Sequence, residues 1–157
     1  EGQRHDFRRG KRAIEVKATL ATEGRSFTVH GLHQLEEPEG GRLHVVWIRF
    51  EHVPGGEFSI SSMISRLCAK GVPAELVHSG PDSHGLPPGS WPDEEFELRE
   101  IAVYEVTDGF PRITSSSLFG GFEDALSDLR YRVNLDMAGE PLSDGSIEEL
   151  FEEMALT

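Results

Sequence analysis

Arg12-Ala13-Ile14-Glu15-Val16-Lys17-Ala18-Thr19 is the stretch on which the fold class turns. Its side chains alternate as a strand requires: Ile14, Val16 and Ala18 lie on one face, Glu15, Lys17 and Thr19 on the other. Just upstream, Arg9-Gly10-Lys11 reads as a turn, so residues 3–8 form a partner strand and the two make a hairpin. The loop length decides where Asp6 goes. A two-residue loop at Arg9-Gly10 pairs Asp6 with Ala13, diagonal to Glu15, and a four-residue loop puts Asp6 directly opposite Glu15. Either even loop gathers Asp6, Glu15 and Lys17 on one face. A three-residue loop sends Asp6 to the other face unless a bulge intervenes.

Such a trio has a chemical use. Two neighbouring carboxylates repel and stay ionised together only beside a cation. Mg²⁺ takes one or two carboxylates, keeps several waters and adds substrate phosphate oxygens. Water bound to a metal is easier to deprotonate, and an ammonium beside it can orient that water or offset charge on a phosphate. Carboxylate, carboxylate and lysine on one strand face are therefore the parts that phosphodiester hydrolysis needs. Glu-x-Lys alone arises by chance roughly 0.4 times in a chain of this composition, so the weight rests on its apolar flanks, the hairpin and the upstream Asp6. The competing structural reading is an exposed hairpin face with a cross-strand ion pair.

Residues 26–30 read as a short strand, 31–35 as the start of a short helix and 36–41 as a turn. Residues 42–50 are the strongest strand, apolar on both faces and so suited to the middle of a sheet. Ile60, Met63, Ile64 and Leu67 recur at helical spacing over 59–70, with Ser59 as cap, Gly71 as stop and Cys68 near the apolar stripe. Residues 79–95 read as a loop, 98–106 as a strand, 110–113 as an extended segment and 129–135 as a last strand. Residues 121–128 form one helical turn or an irregular link. After a loop at 141–145, residues 146–155 make a short acidic helix capped by Ser146, with Glu149 in the capping-box position.

The chain has 157 residues, 37% hydrophobic and 27% charged, which predicts one folded domain or part of a larger one. No apolar run approaches about 18 residues and no apolar leader opens the chain, so no membrane segment is expected. A single cysteine, Cys68, excludes an internal disulfide framework and a cysteine zinc site. Together these favour a soluble, reducing compartment, the cytoplasm. The net charge of −13 is uneven: residues 1–17 carry +3 and the remainder −16. An acidic body repels nucleic acid, while a short basic patch can meet a phosphate locally. His5, His30 and His33 do not follow a zinc spacing. Ser115-Ser116-Ser117 is a polar loop without an assigned base. Trp47 and Trp91 read as core and loop anchors rather than base-stacking platforms.

His5-Asp6-Phe7 followed by Ala13-Ile-Glu-Val-Lys-Ala-Thr19 resembles the PD-(D/E)xK nuclease signature. The resemblance extends to Val29-His-Gly-Leu-His-Gln-Leu35, which is similar to the segment ending in Gln-Leu of a group of prokaryotic PD-(D/E)xK motif proteins. The strand 43–50, the helix 59–70, Phe110-Pro111-Arg112-Ile113 and Tyr131-Arg-Val-Asn-Leu135 follow in that group's order, so it covers roughly residues 3–137. The resemblance implies an α/β fold of the restriction-endonuclease-like kind, a mixed central sheet flanked by helices on both sides. It implies a metal-dependent DNA endonuclease, in a restriction or anti-phage defence setting, acting as a homodimer or with defence partner proteins.

On that resemblance Asp6 and Glu15 hold Mg²⁺ or Mn²⁺, Lys17 is the catalytic lysine and Gln34, on the following helix, assists. Arg4, Arg8, Arg9 and Lys11 would meet DNA phosphates. His5 stands where the signature has proline. The family's upstream helical part has no counterpart here, and the chain opens with Glu1, so it is expected to be a piece of a longer protein. Residues 1–140 form the nuclease-like domain and 141–157 an acidic C-terminal helical segment. The rival reading, favoured by the acidic body, is a nuclease-fold module that does not cut and serves in nucleic-acid binding or complex assembly.

Overall fold

The structure is a computed structural model and describes residues 4–83, 92–118 and 128–155. Its elements are β1 (Phe7–Arg9), β2 (Arg12–Thr19), β3 (Ser26–His30), β4 (Arg42–His52), α1 (Ile60–Ala69), α2 (Ala74–Ser83), β5 (Phe96–Glu105), β6 (Arg130–Asn134) and α3 (Asp144–Ala155). They divide into two units, one of Glu1–Arg49 with Glu100–Thr157 and one of Phe50–Arg99.

The fold is mixed α/β. Strands β1, β2, β4 and β5 lie in that order in one sheet, with β1 antiparallel and β4 parallel to β2. Strand β4 is interior, as its two apolar faces require. Strand β3 leaves the main sheet and pairs antiparallel with β6 in a two-stranded ribbon.

Each face of the main sheet has its own core in the first unit. On one face Ala13, Leu43, Val45, Trp47, Ala102 and Tyr104 pack with Phe27, Val29 and Val133 of the ribbon and with Leu35 and Leu135. On the other, Ile14, Val46 and Val103 pack with Leu150 of α3, joined by Ile147 and Met154. One face is thus covered by a ribbon and the other by a helix, where a helix on each side was expected. The reason lies in β3 and β6: each is apolar on alternate residues only, which suits a cover with one wet face rather than an interior strand.

Two glycines set the hairpin in place. The loop between β1 and β2 is Gly10-Lys11, with Gly10 at φ +56° in the first central position, where a tight hairpin turn needs a residue tolerant of positive φ. Gly41 admits β4 beside that loop: a Cβ there would lie 2.0 Å from the Lys11 carbonyl oxygen, which accepts the Arg42 N–H at 2.8 Å.

In the second unit, α1 starts with a capping box between Ser59 and Ser62 and ends at Lys70, followed by Gly71 at φ +88°. Cys68 on α1 is half-buried. Phe50 and Phe96 meet edge to face, centroids 6.4 Å apart, and the backbones of Phe58 and Phe96 bridge.

Three local expectations are corrected. Helix α2 occupies 74–83, so the loop expected from residue 79 starts later; the Pro73 carbonyl accepts the N–H groups of Leu76 and Val77, and the turn so nucleated propagates through Gly80-Pro81. Residues 31–35 are not helical: Gly31 sits at φ +83°, and the Gln34 side chain takes the His30 N–H at 3.0 Å, a bond that competes with a helical turn. Helix α3 begins at Asp144, so 144–145 are helix rather than loop, and Ser143 takes the cap, its carbonyl accepting the Ile147 N–H at 3.0 Å. Trp91 and the link 121–127 lie outside the described residues.

Candidate active site

The register of the hairpin settles the parity. Phe7 faces Ile14, Arg8 faces Ala13 and Arg9 faces Arg12, so continuation by one residue brings Asp6 to Glu15. The loop is of two residues but lies one position later than Arg9-Gly10, which gives the directly opposed arrangement. An Asp6 Oδ2 atom accepts the Val16 N–H at 2.7 Å. That bond anchors the carboxylate beside β2 although β1 proper begins one residue later.

Glu15 and Lys17 share the face of β2 that carries Ala13, beside Val45 and Trp47 of β4. That face is not the exposed hairpin surface of the competing structural reading. Glu15 is only 3% exposed, and Lys17 Nζ donates to its Oε1 at 2.8 Å. Burial pushes the Glu15 carboxyl up; the Lys17 ammonium partly offsets this, and the charge of Asp6 pushes it up further. The register sets Asp6 across the hairpin from Glu15. The Lys17 ammonium also lies 5.9 Å from the centroid of the Phe27 ring of β3, so the ribbon forms one wall of the site.

The other predicted residues disperse. Gln34 is in the turn after β3, and its bond goes to the His30 backbone rather than to Asp6, Glu15 or Lys17. Arg4 pairs with Glu36 and donates to the His33 carbonyl at 2.7 Å. Arg9 is on the opposite face, donating to the Met154 carbonyl of α3 at 2.9 Å. Arg8, opposite Ala13, shares the Glu15 face and is exposed, and Lys11 is exposed at the loop.

A supporting cluster was not legible in the sequence. His5 is 4% exposed, and its Nε2–H donates to the Glu36 carbonyl at 3.0 Å; burial holds this imidazole below its ordinary value, hence neutral. The Glu36 carboxylate receives the Ser115 N–H at 2.7 Å, His33 Nδ1–H at 2.9 Å and the Arg4 guanidinium. Burial pushes this carboxyl up, but the His33 and Ser115 bonds and the charge of Arg4 outweigh it and hold it at about 2. Arg112 donates to the Leu35 carbonyl at 2.6 Å and to Glu37 Oε1 at 2.7 Å. These bonds fasten the residue next to Asp6 and the loop 33–37 to the 112–117 segment. The sequence signal for them is thin: an arginine set between Pro111 and Ile113, and acids directly after Leu35.

Residues 1–77 match the family described as "Putative PD-(D/E)XK family member, (DUF4420)". The match covers just under half of the chain and includes Asp6, Glu15, Lys17 and Gln34. No curated protein and no solved structure matches the chain. The matched segment thus contains the hairpin and both carboxylates.

The donor set can be tested against a divalent metal. Among the described residues no group of three or more His, Cys, Asp or Glu side chains could hold an ion by itself. Two carboxylates, one of them buried and destabilised as an anion, suit a hard cation that keeps waters and takes phosphate oxygens. Among the described residues no helix is long and apolar enough to cross a membrane.

Proposed function

We propose that this chain hydrolyses phosphodiester bonds in DNA with the aid of Mg²⁺ or Mn²⁺ held by Asp6 and Glu15. The observation that carries this reading is the meeting of Asp6, Glu15 and Lys17 on one sheet face, with Glu15 buried and bonded to Lys17. The family match over the same residues supports it. So does the hairpin leading into a parallel strand pair, which is compatible with a restriction-endonuclease-like core.

A bound divalent ion would act as Lewis acid toward a phosphate oxygen and lower the pKa of a water. The chain's own residues supply the rest. Asp6 is held in position by the Val16 N–H, and Glu15 is aimed by Lys17. The Lys17 ammonium, 14% exposed, keeps a proton-rich face toward the opening, where it orients water or offsets charge developing on the phosphate. The Phe27 ring limits water on the ribbon side. Arg8 and Lys11 are placed to meet neighbouring phosphates, while Arg4 and Arg9 serve chiefly to fasten the loop 33–37 and α3. The cellular setting of this reading is prokaryotic restriction or anti-phage defence, in the cytoplasm, with a second copy or a defence protein as partner.

Calorimetric titration with Mg²⁺, paired with a plasmid-cleavage assay, tests it. The wild type should bind Mg²⁺ and cut; Asp6→Ala should lose binding, and Lys17→Ala should bind without cutting. Binding by the wild type without any cleavage would favour the non-catalytic module. Absence of Asp6-dependent binding would remove the metal site altogether.

A further inference from the structure

The β3–β6 ribbon has a wet face that the proposed chemistry does not use. Its register pairs Ser26 with Asn134, Phe27 with Val133, Thr28 with Arg132, Val29 with Tyr131 and His30 with Arg130. Phe27, Val29, Val133 and Tyr131 point inward and pack in the core. By alternation Ser26, Thr28, His30, Arg130, Arg132 and Asn134 share the outward face.

That face is unlike the rest of the molecule. The chain carries −13 overall, yet none of these six residues is acidic. Arg132 donates to Ser26 Oγ at 2.9 Å, a neutral partner, and neither Arg132 nor Arg130 pairs with a carboxylate among the described residues. Asp136 and Asp128 follow and precede β6 in the chain, and each borders the face at one end, Asp136 lining a hollow with Ser26, Arg132 and Asn134 and Asp128 one with His30 and Arg130. Two arginines at alternate positions of one strand, neither held in an ion pair among the described residues, give an anion a place to bind on an otherwise repelling body.

We propose that this outward face enters the major groove of B-form DNA and positions the substrate for the neighbouring site, an inference that rests on the nuclease reading above. The groove is about 12 Å wide and admits a two-stranded β-ribbon. The arginine, serine and threonine side chains presented are among those that read base edges there, Arg to guanine and Ser and Thr to either. Depth also matches. Stacked sheets lie about 10 Å apart and the groove is about 8.5 Å deep. A ribbon seated in the groove therefore brings the flanking phosphates back toward the layer that holds Glu15 and Lys17. The Lys17 ammonium lies directly under β3, against Phe27. The major groove of A-form RNA is too narrow and deep for such a ribbon, so duplex DNA is the favoured partner.

Binding can be measured apart from cleavage, by fluorescence anisotropy of a short mixed-sequence DNA duplex in EDTA. Arg130→Ala with Arg132→Ala should weaken binding about tenfold or more and flatten its salt dependence by about one to two in logarithmic slope. Arg130→Lys with Arg132→Lys, which keeps the charge, should retain most of the affinity, and Asp6→Ala should bind at least as tightly as the wild type. Unchanged affinity in the alanine pair, no duplex binding by the wild type, tighter binding of an RNA duplex of the same sequence, or loss of binding in Asp6→Ala would each overturn the proposal. Failure of the nuclease reading appears separately, as a wild type that binds the duplex through the ribbon and leaves plasmid intact in Mg²⁺.

Discussion

Lys17 Nζ and Glu15 Oε1 are 2.8 Å apart on one strand, with the two side chains 14% and 4% exposed. The pair sits where an apolar strand face would normally hold two aliphatic side chains. Removing two charges from water is costly, and their attraction recovers the cost only with good geometry and further partners. The arrangement is therefore poor as a stability device and well suited to a site that receives a cation and a phosphate.

Glu15 links metal binding to pH. Its folded carboxyl titrates above the ordinary 4.5 because of burial, so the folded chain holds more protons than the unfolded chain between 4.5 and that raised value. Stability without metal should fall as pH rises through that window, and Glu15→Gln should flatten this slope. Metal binding requires the carboxylate, so the thermal stabilisation conferred by Mg²⁺ should grow with pH over the same range. Melting curves with and without Mg²⁺ across a pH series check both signs; a gain that shrinks with rising pH contradicts the assignment.

Lys17→Ala strands Glu15 in its buried place. The variant should lose about 3 kcal/mol at neutral pH, and less in acid, where Glu15 takes up a proton instead. Urea unfolding at two pH values measures the difference. Equal losses at both would mean that the lysine stem, not its charge, supplies the stability.

Asp6 has two separable duties. Asp6→Asn keeps an oxygen for the Val16 N–H and removes the charge, so its melting point should stay near the wild type while Mg²⁺ binding is lost. Asp6→Ala removes both and should cost about 1 kcal/mol more, a shift of about 2–4 °C. Equal melting points in the two variants would show that the bond to Val16 does not hold the hairpin.

Glu36 should govern acid stability. With the folded carboxyl at about 2 and the ordinary value at 4.5, its contribution is complete above 4.5 and lost as pH falls toward 2. Glu36→Gln should lower stability at neutral pH by about 2 kcal/mol and weaken the acid dependence between those values. Acid unfolding followed by circular dichroism is the measurement, and a variant with the wild-type acid limb would place that dependence elsewhere.

Gly41→Ala should be among the most damaging single-methyl additions, costing about 3 kcal/mol, since its Cβ would collide with the Lys11 backbone and part β4 from the hairpin loop. Gly10→Ala, with open space around it and a strained φ only, should cost about 1 kcal/mol. Comparing the two by urea unfolding separates collision from conformational strain.

Much of this was legible because it is local. Alternation over 12–19 marks β2, and the apolar spacing over 59–70 with Ser59 and Gly71 marks α1. The shared face of Glu15 and Lys17 followed from the strand period, while the face of Asp6 hung on the loop length, which the register gives as two residues. Helix α2 was hidden because Gly80 and Pro81 suggest a loop, whereas its start depends on the Pro73 carbonyl. Gln34 was expected on a helix because the short apolar spacing of Leu32 and Leu35 does not distinguish a helical turn from a buried loop.

Side-chain period and turn chemistry within a few residues suffice for the hairpin, the shared face of Glu15 and Lys17 and the two-sided strand β4. The place of Asp6 opposite Glu15, the burial of Glu15, the pairing of β3 with β6 and the engagement of Arg4 with Glu36 and of Arg9 with α3 came from how the whole chain packs. Burial and pairing between distant residues depend on which faces stack. That choice is made by the total apolar area covered, a property of the whole chain that no short stretch encodes.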